Sequence, residues 1–436
     1  MTLPLKRFFV FAFLFCSQLA HAQPHDNVLP VAHEPEFFSA SFNPLLLSGA
    51  ARFTGDRFAT ADARAGFASD ALDAGLVLGI YNSESIDKET LDRNYVRRDG
   101  LTATGNVSLS IGVSFGNDSA LYSHGLFLRQ RYDVYLDMSQ ALTGVLFYGN
   151  ARYENETVAI NGEGKFLGFR QLQYVISTKA SSQWVLTASA SVLQGLKVNE
   201  ARYKGSLYTA PYGEYLDLDY DFHFKTFGTN NVASVRSMGL AFGAGVMHRS
   251  KDNRRHMALG LAEGGWFFNG IDARSYKADS AVRFEGFVVH NVFALNDSSF
   301  LNFGDTVANH FGVAHGNKTS TVELPARFYA HYVHRINRAL DLSAAVEWQP
   351  VLPQLVHASL IAGRRFVPSL YTAVHLNTVS FSSVNVGLTL MHEYKLSSAH
   401  PRRKIQTTVQ SRFVNALVAP KSARGFDLAV ALAYRF

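Results

Sequence analysis

The chain has 436 residues, 47% hydrophobic and 17% charged, with a formal net charge of +6. Soluble domains usually carry about 25% charged residues, so the balance points to apolar surroundings, while so mild a charge argues against a nucleic-acid partner. The single cysteine excludes a disulfide framework, and no apolar run beyond the N-terminal segment approaches the ~18 residues of a spanning helix.

The chain opens with Lys6 and Arg7, an apolar run from Phe8 to Cys16, and Ala20-His21-Ala22. That order predicts a secretory signal peptide over residues 1–22. Cleavage would remove the only cysteine and leave a net charge of +4. An exported chain without disulfides needs a large closed structure. Residues 23–72 include "EPEFFSASFNPLLLSGAARF", apolar but without clear alternation, and are expected to form a plug-like segment.

From residue 73 onward the dominant pattern is a period of two, which places successive side chains on opposite faces of a strand. In "NVSLSIGVSF", Val107, Leu109, Ile111 and Val113 oppose Ser108, Ser110, Gly112 and Ser114. "GEYLDLDYDFHFK" sets Leu216, Leu218, Tyr220 and Phe222 against Asp217, Asp219, Asp221 and His223. "RALDLSAAVEWQ" puts Asp341 and Glu347 on its polar face, and "SVNVGLTLMHEYK" does the same for Glu393. The last segment places Phe426, Leu428, Val430, Leu432, Tyr434 and Phe436 on one face. Opposite them lie Asp427, Ala429, Ala431, Ala433 and Arg435.

Such segments are about ten residues long, the length of a tilted transmembrane strand. A soluble β-sandwich also alternates. It does not need a signal peptide together with an apolar terminal strand, and a membrane-spanning chain without helices must close its sheet. The fold expected is therefore all-β, a closed antiparallel transmembrane β-barrel over residues 73–436. Seventeen candidate strands run from 73–81 to 426–436. Even numbers are favoured, so about fourteen are expected, with twelve or sixteen as alternatives.

Two stretches break the strand period. "DVYLDMSQALTGVLFYGN" carries Leu136, Met138, Leu142, Val145 and Leu146 at helical spacing, with Gly149 as a C-cap. "SSFLNFGDTVANHF" behaves similarly. Helical insertions are expected near 133–149 and 299–311, either inside the bore or on its rim.

The polar faces supply the lumen candidates: Asp217, Asp219, Asp221, His223, Asp341, Glu347 and Glu393. Three aspartates about 7 Å apart on one face suit a cation site or an acid catalyst, but also a hydrated channel wall, the reading preferred here. His331 and His334 would point to opposite sides of a strand, which disfavours a joint zinc site, and His310 and His315 fall in a loop. No phosphate loop, dinucleotide fingerprint, H-E-x-x-H or zinc C-x-x-C occurs. No catalytic residue, metal or cofactor is expected, and the chain is read as a non-enzyme.

"FNPLLLSGAARF" resembles the Asn-Pro-Ala motif near the mature start of FadL-like outer-membrane proteins, with Leu45 in place of the alanine. The "LDMSQALTGVLFYGN" helix with the following "LTASASVLQGLKV", and "VELPARFYAHYVHRI", are similar to segments of an uncharacterised Gram-negative outer-membrane family. That family is related in layout to FadL and to the type IX secretion barrel PorV. The terminal alternation ending on Phe436 resembles the signal that barrel-assembly machinery reads. The resemblance implies fourteen strands, an N-terminal plug and passage of small hydrophobic molecules across the outer membrane of a Gram-negative bacterium. Its implied partners are outer-membrane lipid, the assembly machinery and a small hydrophobic ligand, with no nucleic acid. A secretion or surface-assembly accessory barrel is the second reading, and an outer-membrane hydrolase the third.

Overall fold

The computed structural model describes residues 44, 45, 48, 57–70, 72–74, 100–116, 121–228, 237–269, 274–285, 314–316, 321–337, 339–350, 356–367, 369–379, 383–396, 403–420 and 423–435. The expected signal peptide, the 299–311 helix and Phe436 lie outside them. The strands are β1 (Phe58–Ser69), β2 (Gly100–Gly116), β3 (Tyr122–Ser139), β4 (Thr157–Lys179), β5 (Trp184–Thr209) and β6 (Tyr215–Phe227). They continue as β7 (Ser237–Arg249), β8 (Arg255–Asn269), β9 (Arg274–Glu285), β10 (Ala314–Gly316), β11 (Thr321–Arg335) and β12 (Leu340–Trp348). The last are β13 (Val356–Val367), β14 (Leu370–Val379), β15 (Ser383–Lys395), β16 (Lys404–Ser411) and β17 (Gly425–Arg435).

Fourteen of these form a closed antiparallel ring. The seam pairs β1 with β17, from Phe58 opposite Arg435 to Ala68 opposite Gly425, and β1 also pairs β2. Closure leaves no strand edge to satisfy in lipid. No helix among the described residues is long and apolar enough to cross a membrane. Both chain-terminal strands meet at one end, together with the short β4–β5 and β7–β8 turns. This is the turn end. The opposite, loop end carries the longer connections.

Three strands leave the ring. β5 pairs β7 through Trp184–Gln194 and then pairs β6 through Val198–Thr209. β6 pairs β9, β9 pairs β10, and β8 pairs β11 directly. The upper part of β5 therefore carries a second sheet that stands beyond the wall at the loop end.

The ring obeys the alternation. On β17, Leu428 and Leu432 are 43% and 47% exposed, while Asp427 and Ala431 are 7% and 2% exposed. Leu109, Ile111, Leu128, Leu172 and Val386 join the outward apolar band. Phe127 points inward, and its ring lies over Gly112, where an added Cβ would sit 2.1 Å from it. Glycine there lets an aromatic lie flat on the wall.

Two boundaries differ from expectation. The wall begins at Phe58, not at 73, so the end of the plug-like segment belongs to the barrel. The outward face of β1 is Ala59, Ala61, Ala63 and Ala65, and alanine signals neither strand nor bilayer. Residues 133–139 continue β3, paired on both sides, and the helix α1 covers only Gln140–Tyr148. The Ser139 hydroxyl accepts from the Leu142 N–H at its start, and Gly149 ends it with φ 78°. Tertiary pairing overrides the helical spacing of Leu136 and Met138.

Candidate functional site

Inside the ring the side chains form layers. Toward the turn end, Leu45 is fully buried among Phe58, Phe127, Val175, Val185 and Met247. The Ser177 hydroxyl donates to Ser48 at 2.9 Å. Toward the loop end, Phe267 packs edge to face with Phe169 at a centroid distance of 5.4 Å and with Phe227, from the end of β6 where it joins β5, at 6.5 Å. Between these layers lies a belt of charge.

Two ion-pair groups build the belt. Arg131 on β3 pairs with Asp133 at 2.6 Å and with Glu263 on β8, and Arg327 on β11 pairs with the same Glu263. The Arg131 guanidinium also stacks 5.1 Å from the Phe169 ring. In the second group the Arg412 Nε donates to Asp427 at 2.6 Å, Glu347 lies 3.6 Å from Arg412, and Arg64 lies 3.8 Å from Asp427.

Glu263 reaches this belt through a bulge. Below it, His256 and Ala258 face inward. Above it, Glu263 and Phe267 do. The register slips between Phe242–Gly264 and Ala244–Leu261, so two residues of β8 oppose one of β7. Without that slip, strict alternation would aim Glu263 at lipid. β11 slips at the same height around Pro325, which cannot donate to a ladder.

A chamber opens between the two groups, lined by Arg64, Arg129, Arg327, Arg412, Tyr135 and Glu347, among others. It continues along the inner wall past Ser343 and Ser359 to Tyr371 and His375. Pro44, next to buried Leu45, also borders it. The buried Nε groups of Arg64, Arg129 and Arg327 have no hydrogen-bond partner among the described residues. No cluster of three or more His, Cys, Asp or Glu among them could hold a metal ion.

The structure separates the sequence-derived candidates. Glu347 alone borders the chamber. Asp341 faces inward lower down and accepts from the Tyr371 hydroxyl at 2.8 Å, and Glu393 pairs with Lys404 at 2.6 Å near the turn end. Asp217, Asp219, Asp221 and His223 do not line the spanning part of the bore. They sit on β6, level with Tyr208, Ser206, Lys204 and Arg202 of upper β5. Their local alternation is as read, but the hydrogen-bond partners of β6 put it outside the ring. Asp217 accepts both N–H arms of Arg283 at 2.6 and 2.8 Å, which hold its carboxyl below the usual range. On the apolar face of β6, Leu216 is buried in a cluster with Ile160 and Leu207, and Leu218 packs against that cluster, as do Leu142 and Val145 of α1.

The sequence reading missed Arg64, Arg129, Arg131, Glu263, Arg327 and Arg412. One signal was available: in "LFLRQRYDVYLD", Arg129, Arg131 and Asp133 recur every second residue inside an otherwise apolar strand.

A closed fourteen-stranded barrel of transmembrane type, with a charged chamber in its bore, is the class these features define. The chain belongs to a family of unknown function, DUF5723, which it matches over residues 63–395. No curated protein matches it. Among solved structures it is similar to a Pseudomonas aeruginosa FadL homologue, at 12% identity over 91% of this chain and 93% of that one, TM-score 0.43. The P. putida toluene transporter TodX gives 10% identity, 91% and 93% coverage and a TM-score of 0.41. The translocator domain of the Neisseria meningitidis autotransporter NalP gives 8%, 91% and 100% coverage, and 0.32.

Proposed function

We propose that the protein is a non-enzymatic outer-membrane channel of a Gram-negative bacterium, closed at rest by the stretch around Leu45 and Ser48. The observation that carries this reading is the charged chamber in the bore and the groove that extends from it. The chamber runs into a groove of serines, alanines and histidines on the β12–β17 side, while Leu45 seals the β1–β11 side with apolar contacts. A barrel that served only as a scaffold would gain more from an apolar filling than from buried charge. The four arginines that line the chamber favour anionic cargo over the small hydrophobic molecules that the FadL resemblance implies.

Planar-bilayer conductance tests this. The full mature chain should conduct little, and a variant lacking residues 23–56 should conduct steadily while keeping its heat-modifiable gel mobility. A folded truncation that stays closed would overturn the reading.

The second reading, an accessory barrel for secretion or surface assembly, draws on the sheet beyond the wall. Its β5–β6 hairpin ends in Pro211-Tyr212-Gly213, with Tyr212 92% exposed. Loss of a surface protein after removal of residues 210–227, with conductance of the truncated chain absent, would favour it.

A further inference from the structure

We propose that the chamber is a binding site for a small oxyanion, of the phosphate or polycarboxylate class, gripped by Arg129 and Arg64, and that Glu347 occupies the same place when no ligand is present. This rests on the channel reading for its biological sense, but not for its chemistry.

Most of the local charges are already committed to one another. Asp133 and Glu263 are taken by Arg131 and Arg327, and Asp427 by Arg412. Asp62, buried and hydrogen-bonded to Ser110, interacts with both Arg129 and Arg64 but makes an ion pair with neither, so it offsets their charge without filling their forks. Arg129 is 7% exposed, borders the chamber, and keeps a buried Nε without a hydrogen-bond partner among the described residues. Arg64 borders the chamber too, with its Nε equally unpartnered and Asp427 no nearer than 3.8 Å. A buried guanidinium with an idle donor is costly. Its planar fork matches the paired oxygens of a carboxylate or phosphate.

Glu347 is the loosest acid of the group. Its side chain is 57% exposed within the bore, it touches Arg412 only at 3.6 Å, and it borders both the chamber and its groove. A weakly held carboxylate in a chamber lined by four arginines is an internal substitute for an anionic ligand. An entering oxyanion would displace it, and it would return as the ligand leaves. That exchange gives the arginines an oxygen partner at each stage and lets the anion dissociate.

Isothermal titration calorimetry on the purified full-length protein tests this, with inorganic phosphate and citrate as probes and glucose as the neutral control. Phosphate or citrate should bind, and glucose should not. Arg129→Gln and Arg64→Gln should each weaken binding at least tenfold, and Arg129→Lys should fall between wild type and Arg129→Gln. Glu347→Gln should tighten binding severalfold, a gain that no folding defect mimics. Absence of binding by both wild type and Glu347→Gln, or binding unchanged by both Gln substitutions at the arginines, would overturn the proposal and leave a hydrated wall. The channel reading is scored separately by conductance. Binding without conductance sinks that reading alone, and conductance without binding sinks this one alone.

Discussion

Arg131 and Glu263 form an ion pair across the bore although β4, β5 and β7 separate their strands in the wall. Arg327 joins the same carboxylate from the next strand. Glu263 is thus a single anchor for two inward arginines. Glu263→Gln should destabilise the barrel by about 3–5 kcal/mol, because it strands buried charge. Replacing Arg131, Asp133, Glu263 and Arg327 together by apolar residues of similar size should cost far less. Urea unfolding in lipid vesicles measures both, and equal losses would mean that the pair is solvated and weak.

Outward positions should reject charge according to where their strand runs. Val386 is 43% exposed on the outer face of β15, and Val386→Arg should cost about 2–4 kcal/mol near the bilayer midplane. Leu218 packs instead against the Ile160–Leu207–Leu216 cluster, which α1 also covers. Leu218→Arg should leave the global unfolding midpoint near wild type and increase hydrogen exchange in α1 and β6.

The position of α1 predicts what its loss does. Its Leu142 packs on Gly162 of β4, where an added Cβ would come within 2.8 Å, on the face opposite the lumen-facing Lys165. Deleting Gln140–Tyr148 and joining the ends with a short Gly/Ser linker should not raise vesicle leakage. Leakage equal to that of the 23–56 deletion would place the helix in the conduction path.

Acid should loosen the sheet beyond the wall before it affects the ring. Arg283 holds the Asp217 carboxyl below its ordinary value, so the pair's contribution is full above the unfolded aspartate pKa and is lost as pH falls through the lower folded value. The Arg283 guanidinium also stacks 4.1 Å from the Tyr215 ring, so some β6–β9 contact persists. Limited proteolysis with pepsin across pH 4 to 2 should cut this sheet increasingly in wild type. Asp217→Asn should be cut to that extent already at pH 4. Identical cleavage of both proteins across the range would show that the pair does not tie the strands.

The sequence by itself determined the two faces of each strand and the closed barrel they require. Leu428 and Asp427, or Val386 and Asn385, could be assigned to lipid and bore because side-chain alternation is a property of adjacent residues. It also showed where a helix ends, since Gly149 is a local signal, but not where it begins, because pairing keeps residues 133–139 in the strand. What only the tertiary structure decided is which strand pairs with which, and in what register. The alternation in β6 is as clear as in β15, yet β6 pairs with the upper half of β5 and stands outside the ring. Glu263 faces the bore because a bulge in β8 reverses its parity, and that bulge is set by its pairing with β7 and β11. Arg64, Arg129 and Arg412 lie far apart in the chain and meet only when β17 closes on β1. Period two fixes orientation within one strand. Hydrogen-bonded register between strands distant in sequence fixes which charges share a chamber, and no local pattern encodes it.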